Sequence, residues 1–467
     1  MEAGKAMEGR RRWSARGTSF SRLQWGSGRN RRDTCTEAVW RWLRRLREFH
    51  FTFIPFIRWW RTPWTVLSEE ERQAVATHQC GCVDRSWLMR RAGALFDWLE
   101  QHCVPGGLSP DALTVMGFAS VLCPSLWCGL LAPTLTEPLP PAVLFSLGIG
   151  VLMHMVLDAL DGRRARRQRC TSRFGEYLDH SLDSLVACLS AINVTATLRI
   201  GDRWISNVPF AVFTLVLYVS VWQSVYSGRL CFAALSPVTE GAVALALFYW
   251  VHALAASMGG RELSVHRWLT QWPASSTRSE RPWWVVREVH HLGFAAVWVA
   301  GGLWACWASF PPGCRSASTM KNTEAPAARR LRHETSAATA TVTTLSRLPR
   351  LWELWPVLLD LVVSTAFVAM LGDSMPLSAL YMAFSALVAY SVLLLQVSHM
   401  SDGRPIRMHA MIAGYAPYAL AAGCVPLWGR PLAAYAFVAS SVLMWAHLFN
   451  TFGRQIARVD EELMNGV

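Results

Sequence analysis

An all-α, polytopic integral membrane protein with about ten spanning helices is the fold class that three features of this 467-residue chain predict. Hydrophobic residues make up 52% and charged residues only 16%, against about 25% charged in an average soluble domain. The 24 tryptophans are far above ordinary usage, and such amphipathic rings gather where hydrocarbon meets water. Ten stretches match a bilayer crossing, which takes about 20 mostly apolar residues: 111–132, 142–162, 179–198, 207–227, 240–258, 291–310, 353–372, 375–399, 407–427 and 431–451. A soluble enzyme, a disordered chain and a coiled coil are excluded.

Residues 1–83 read as a basic, irregular region, and residues 1–50 alone carry 13 Lys+Arg against five acids. Attraction to anionic headgroups, worth about 1 kcal/mol per basic residue near the surface, accounts for such an arm. Nucleic acid is not expected as a partner, because no zinc finger, RRM or heptad pattern accompanies the charge. Glu2, Glu8, Asp33 and Glu37 interrupt what would otherwise resemble a transit peptide. An aromatic stretch, with Phe51, Phe53, Phe56, Trp59 and Trp60, is too short to span and suits the interface. His78-Gln79-Cys80-Gly81-Cys82 has the residue types of a zinc site but lacks a second ligand pair at finger spacing. Residues 84–103 place Trp87, Leu88, Leu95, Phe96, Trp98 and Leu99 at amphipathic spacing, which predicts a helix lying along the bilayer surface.

Loop charge sets the orientation. With ten alternating spans, the N-terminal arm, the 163–178 loop with six Arg and the 311–352 loop with seven Lys+Arg fall on one side. The tail, with Arg454 and Arg458, joins them, and both termini are expected in the cytosol. The 259–290 loop, with five Arg, dissents. The chain divides into the basic region 1–83, the interfacial helix and first spans at 84–260, connecting spans and a Ser/Thr/Ala-rich linker at 261–352, and the C-terminal spans and tail at 353–467. Asn193-Val194-Thr195 lies within a span, where glycosylation is not expected.

Charged groups inside a span cost about 2.5–3.5 kcal/mol on insertion scales and mark function. Four carboxylates sit where the second and third spans meet the cytosol: Asp158, Asp161, Asp179 and Asp183. Their i,i+3 and i,i+4 spacings put each pair on one helix face, and antiparallel neighbours joined by residues 162–178 can bring the faces together. Carboxylates so crowded repel unless a cation sits among them, and hard oxygen ligands select Mg²⁺ or Mn²⁺. Two such ions make a site for a phosphate-bearing substrate. Gly162 and Ala165 remove bulk beside the carboxylates, Arg166 can grip a phosphate bidentately, and Gly175 resets the chain before the third span.

The whole string is Asp158-x2-Asp161-Gly162-x2-Ala165-Arg166-x8-Gly175-x3-Asp179-x3-Asp183. It resembles the signature of the CDP-alcohol phosphotransferase family at all eight fixed positions, a match expected by chance on the order of 10⁻¹⁰ at a given start. Glu176, His180 and Ser184 around the second half resemble the eukaryotic choline and ethanolamine phosphotransferase branch. Ser109-Pro110-Asp111-x2-Thr114-x2-Gly117 before the motif and Pro237-x2-Glu240-Gly241 after it do so as well. His399-Met400 is a weaker downstream echo, and a ten-span layout is that branch's architecture.

The resemblance implies transfer of phosphoethanolamine or phosphocholine from CDP-ethanolamine or CDP-choline to diacylglycerol or alkyl-acylglycerol, releasing CMP. It implies that Asp158, Asp161, Asp179 and Asp183 hold two divalent ions, and that Arg166 and Glu176 bind the CDP-alcohol, with Asp111, Gly162, Ala165 and Gly175 lining its site. The family pattern has Asn where this chain has Asp111, which adds negative charge near the nucleotide. His180 corresponds to the general base, with Asp183 the other acceptor in reach, and His is the usual proton acceptor near neutral pH. Residues 84–260 then hold the catalytic core, in an endoplasmic reticulum or Golgi membrane, and a homodimer is the family's common assembly.

Two other functions compete. A CDP-diacylglycerol-dependent phosphatidyltransferase shares the carboxylates, although Glu176 and His180 argue against it. A ten-helix cation transporter would spread acids through broken mid-membrane helices. Glu240, Trp222 and Tyr226 could line a headgroup pocket, since aromatic faces attract quaternary ammonium, or simply form an aromatic belt. His252, His399 and His447 read as packed or interfacial, and of the arginines at 163–169 only Arg166 has motif support.

Overall fold

The computed structural model describes residues 67–78, 82–201, 203–227, 230–232, 235–258, 295–306, 351–401 and 408–464. The basic arm, the aromatic stretch at 51–60, Cys80, the loop after residue 258 and the Ser/Thr/Ala-rich linker lie outside the described residues.

Helices α1 (Glu69–Thr77) and α2 (Trp87–His102) precede α3 (Pro110–Leu131), α4 (Pro141–Gln168), α5 (Arg173–Leu198), α6 (Asn207–Ser227) and α7 (Thr239–Ser257). After α8 (Ala295–Cys306) come α9 (Trp355–Leu371), α10 (Leu377–Met400), α11 (Met408–Ala413), α12 (Ala416–Trp428) and α13 (Arg430–Met464). Eight of the ten expected spans are helical stretches long and apolar enough to cross a membrane, with α11 and α12 together forming one of them. The other two, α8 and α9, are shorter apolar helices. The only strands among the described residues are β1 (Cys82–Asp84) and β2 (Leu230–Phe232), a three-residue parallel pair.

Four boundaries differ from expectation, the last being that of the tenth span, where α13 runs on to Met464 and not to 451. The second span does not stop at residue 162: α4 runs on to Gln168, so the Gly162–Arg166 segment is helical and not a loop. Its arginines are good helix formers and find acidic partners on α2. The third span begins at Arg173, capped by Ser172, whose Oγ accepts from the Gly175 N–H at 2.8 Å. Within the region read as irregular, α1 is a helix with a capping box, Ser68 and Glu71 satisfying each other's backbone N–H groups.

The most enclosed helices are α5 and α10, and they pack on each other. On one side α3 lies against both α4 and α5, and α4 also packs on α7. On the other side α13 packs on α10, α12 and α5. The two aspartate-bearing helices touch over only a short stretch, with α3 lying against both of them. The α3–α4 approach depends on Gly150, where an added Cβ would fall 2.3 Å from the Ser120 carbonyl oxygen. Small residues allow this closeness where lipid gives helices no hydrophobic reason to associate. Asn193 is buried and donates to Ser125 Oγ at 2.8 Å, tying α5 to α3.

As expected, α2 is amphipathic. Trp87, Leu95 and Trp98 are exposed while Phe96 and Glu100 are buried.

Candidate active site

Near the C-terminal end of α4, Asp158 and Asp161 project one turn apart, and near the start of α5 Asp179 and Asp183 do the same. One oxygen from each of Asp158, Asp179 and Asp183 lies within 4.8 Å of the others. All three residues are half-buried, and Asp179 Oδ1 is buried without a hydrogen-bond partner. Two unit charges about 4 Å apart repel by about 4 kcal/mol even at an effective dielectric constant of 20. Such a set, with an orphaned buried oxygen on one of its members, fits a hard divalent cation. Asp161 stands apart from this trio: it is buried and turned toward α3, where Thr114 Oγ1 donates to its Oδ2. It remains within electrostatic reach of Asp158 and Asp183.

The ring closest to the carboxylates is one the sequence reading missed. His154 Nε2 lies 3.4 Å from Asp183 Oδ1. Its Nδ1 is buried, unpartnered and backed by α3, where a Cβ added to Gly117 would sit 3.3 Å away. The signal was available: His154 precedes Asp158 by four residues, hence the same face of α4. His180 is half-buried and within electrostatic reach of Asp158.

The other expected site residues lie on α3, α4 and α5. Arg166 is exposed and folds back over Gly162, where a Cβ would meet its Nη1 at 3.2 Å. With Asp97, Glu100, Gln101, Arg163 and Arg167 it lines an open cleft of about 450 Å³. Ala165 is half-buried one residue before it. Asp111 faces the first turn of α5, since a Cβ at Gly175 would stand 3.3 Å from its Oδ1 and 3.0 Å from Ser172 Oγ. A side chain at Gly175 would press on both atoms. Glu176 lies against two histidines, 3.0 Å from His78 Nε2 and 3.7 Å from His399 Nε2. His399 is thus no mere packing residue, and Glu176 is not an ordinary interfacial carboxylate.

The remaining arginines do structural work. Arg164 is buried, reaches Glu100 at 3.1 Å, and donates to the carbonyls of Pro105, Gly106 and Leu108. Arg167 takes the other Glu100 oxygen, and Arg163 reaches Asp97 at 2.9 Å. A run that read partly as a topology signal instead fastens α2 to α4. Burial alone would lift the Glu100 carboxyl, but the Arg167 and Arg164 guanidiniums prevail and hold it below the usual glutamate range.

The headgroup-pocket assignment fails for two of its three residues. Glu240 caps backbone, accepting from the Leu88 N–H at 2.8 Å and the Ser236 N–H at 2.7 Å. Trp222 is buried and donates to Glu353 at 3.3 Å. The Tyr226 side chain lies outside the described residues. His252 is tied to its own helix, at 2.8 Å from the Phe248 carbonyl. Asp460, near the end of α13, accepts from the Phe174 and Arg173 N–H groups at 2.9 and 3.3 Å, and so caps the start of α5. Nothing in the tail's sequence announced that contact.

Eight apolar helices of membrane-spanning length, with a carboxylate cluster carried by two of them and a histidine beside it, define a polytopic membrane protein with a candidate divalent-cation site. Residues 108–274 match the family model for CDP-alcohol phosphatidyltransferase, and all four motif aspartates fall within this segment. The chain is 29% identical over 206 residues to cholinephosphotransferase 1 of Rattus norvegicus, covering 44% of this chain and 51% of the relative. It is 29% identical over 202 residues to cholinephosphotransferase 1 of Homo sapiens, 43% of this chain and 49% of the relative. It is 30% identical over 191 residues to choline/ethanolaminephosphotransferase 2 of Arabidopsis thaliana, 40% of this chain and 46% of the relative. The matches span about half the length of these relatives.

Proposed function

We propose that this chain transfers phosphoethanolamine or phosphocholine from CDP-ethanolamine or CDP-choline to the free hydroxyl of diacylglycerol or alkyl-acylglycerol, releasing CMP. The observation that carries the proposal is the convergence of Asp158, Asp179 and Asp183 inside the segment that matches the family. The relatives' names supply the substrate class.

In this reading Asp158, Asp179 and Asp183 hold Mg²⁺ or Mn²⁺, with Asp161, one turn on, completing a two-ion set. Such ions, when bound, neutralise the pyrophosphate and polarise the phosphorus under attack. Thr114 fixes Asp161, and His154 orients Asp183 through their 3.4 Å contact. Arg166 grips the nucleotide phosphates beside Gly162 and Ala165. Asp111, Gly175 and Glu176 form the far wall at the start of α5. His180 accepts the proton of the lipid hydroxyl as its oxygen bonds to the phosphorus bearing the headgroup, and the bond from that phosphorus to the CMP oxygen breaks. Asp183 is the second acceptor in reach. The water-soluble donor enters from the cytosolic side and the neutral lipid enters laterally, in an endoplasmic reticulum or Golgi membrane. Homodimeric assembly belongs to the same proposal.

Supplying membranes separately with labelled CDP-ethanolamine, CDP-choline and CDP-diacylglycerol tests it. Lipid product is expected with one or both of the first two. Product from CDP-diacylglycerol alone would overturn the assignment, and no release of CMP under any divalent ion would point to transport.

A further inference from the structure

A second group of possible ligands lies outside the aspartate trio. His78 follows α1, Glu176 sits in the first turn of α5, and His399 in the last turn of α10. One donor atom from each lies within 4.8 Å of the others. Both histidines present Nε2 to the carboxylate, at 3.0 Å from one oxygen and 3.7 Å from the other. Their rings meet edge to face, with centroids 5.1 Å apart and planes at 80°, which lets both nitrogens point at one locus. The three side chains are only 9%, 12% and 4% exposed.

We propose that these residues form a separate site for one zinc-class divalent ion. Two imidazole nitrogens and a carboxylate are a donor set that zinc accepts, leaving a fourth position for water. Zinc–nitrogen and zinc–oxygen bonds of about 2.0–2.2 Å in a tetrahedron place neighbouring donors roughly 3.3–3.5 Å apart. The donors here lie within 4.8 Å of one another, so side-chain shifts of about an ångström bring them to that spacing. Imidazole ligands favour zinc or cobalt over magnesium, whereas the all-oxygen trio around Asp158 favours the reverse. The two sites therefore sort ions by ligand chemistry. An ion here fastens α1 to the first turn of α5 and the last turn of α10, and it engages Glu176. The assignment rests on this geometry and not on the proposed transferase activity.

The test uses the purified full-length chain, stripped with chelator and saturated with Mg²⁺ to fill the oxygen site. Co²⁺ is then titrated, with visible ligand-field absorption and bound-metal analysis as readouts. One Co²⁺ per chain is expected, displaced by Zn²⁺. That equivalent should vanish in His78→Ala and in His399→Ala, and persist in Asp158→Asn. His399 is deeply buried, so His78→Ala, at the end of a short outer helix, decides the matter if His399→Ala misfolds. The proposal is overturned if no Co²⁺ binds in excess Mg²⁺, if His78→Ala keeps the full signal, or if Asp158→Asn abolishes it.

Discussion

Two clusters of charge occupy the last turns of α4, and they are built on opposite principles. Around Glu100 every charge is answered: Arg164 and Arg167 take its two oxygens, and Arg164 spends its remaining donors on three carbonyls. Around Asp179 three carboxylates converge, and a buried oxygen is left without a donor. The paired cluster belongs to architecture, holding α2 on the bundle. The unpaired one is kept despite repulsion, and repulsion within a protein is tolerated where a ligand will relieve it. Counting acids along the sequence would weigh both clusters alike; only their partners separate them.

Substitutions can break this contrast. Asp179→Asn should cut CMP release by about a thousand-fold or more, since a lost metal contact removes several kcal/mol of transition-state stabilisation. Its thermal stability should hold or rise, because repulsion falls. A drop in stability like that of a core mutant would mean the trio is structural. Glu100→Gln should do the reverse, destabilising by about 3–5 kcal/mol by leaving the buried Arg164 uncompensated, while turnover per folded molecule persists.

The Glu100 carboxyl is held below its ordinary range, so its stabilising contribution is complete above that range and is lost as pH falls through the lowered value. Unfolding followed against pH should show that acid limb in the parent and not in Glu100→Gln. Asp460→Ala should cost about 1 kcal/mol, the usual value of a helix cap, read as a lower melting temperature. Arg163→Ala, at the solvent-exposed Asp97 pair, should cost about 0–1 kcal/mol; a larger loss would show that α2 is held at its rim and not at Glu100.

Much of this was legible in the chain. Apolar length located ten helical stretches, eight of them long enough to cross a membrane, and the i,i+3 and i,i+4 spacings of the aspartates marked out the carboxylates, three of which converge. What stayed hidden shares one cause: it depends on partners far along the chain. Asp460 reaches residues 173 and 174, His399 reaches Glu176, and Glu240 reaches Leu88. Local periodicity carries no information about such pairs. Two omissions were different, because their signals were local. Ser68 and Glu71 spell a capping box, and His154 stands one turn before Asp158. The arginines after Gly162 misled for a third reason: loop-charge rules treat them as solvated, whereas Glu100 on the preceding amphipathic helix lets Arg164 be buried within a continuing helix.

Because Asp460 finishes the amino-terminal turn of α5, a ribosome must add 286 residues beyond Phe174 before that helix acquires its final support. A truncated product, even one containing every motif residue, would insert into the bilayer with this turn unsupported.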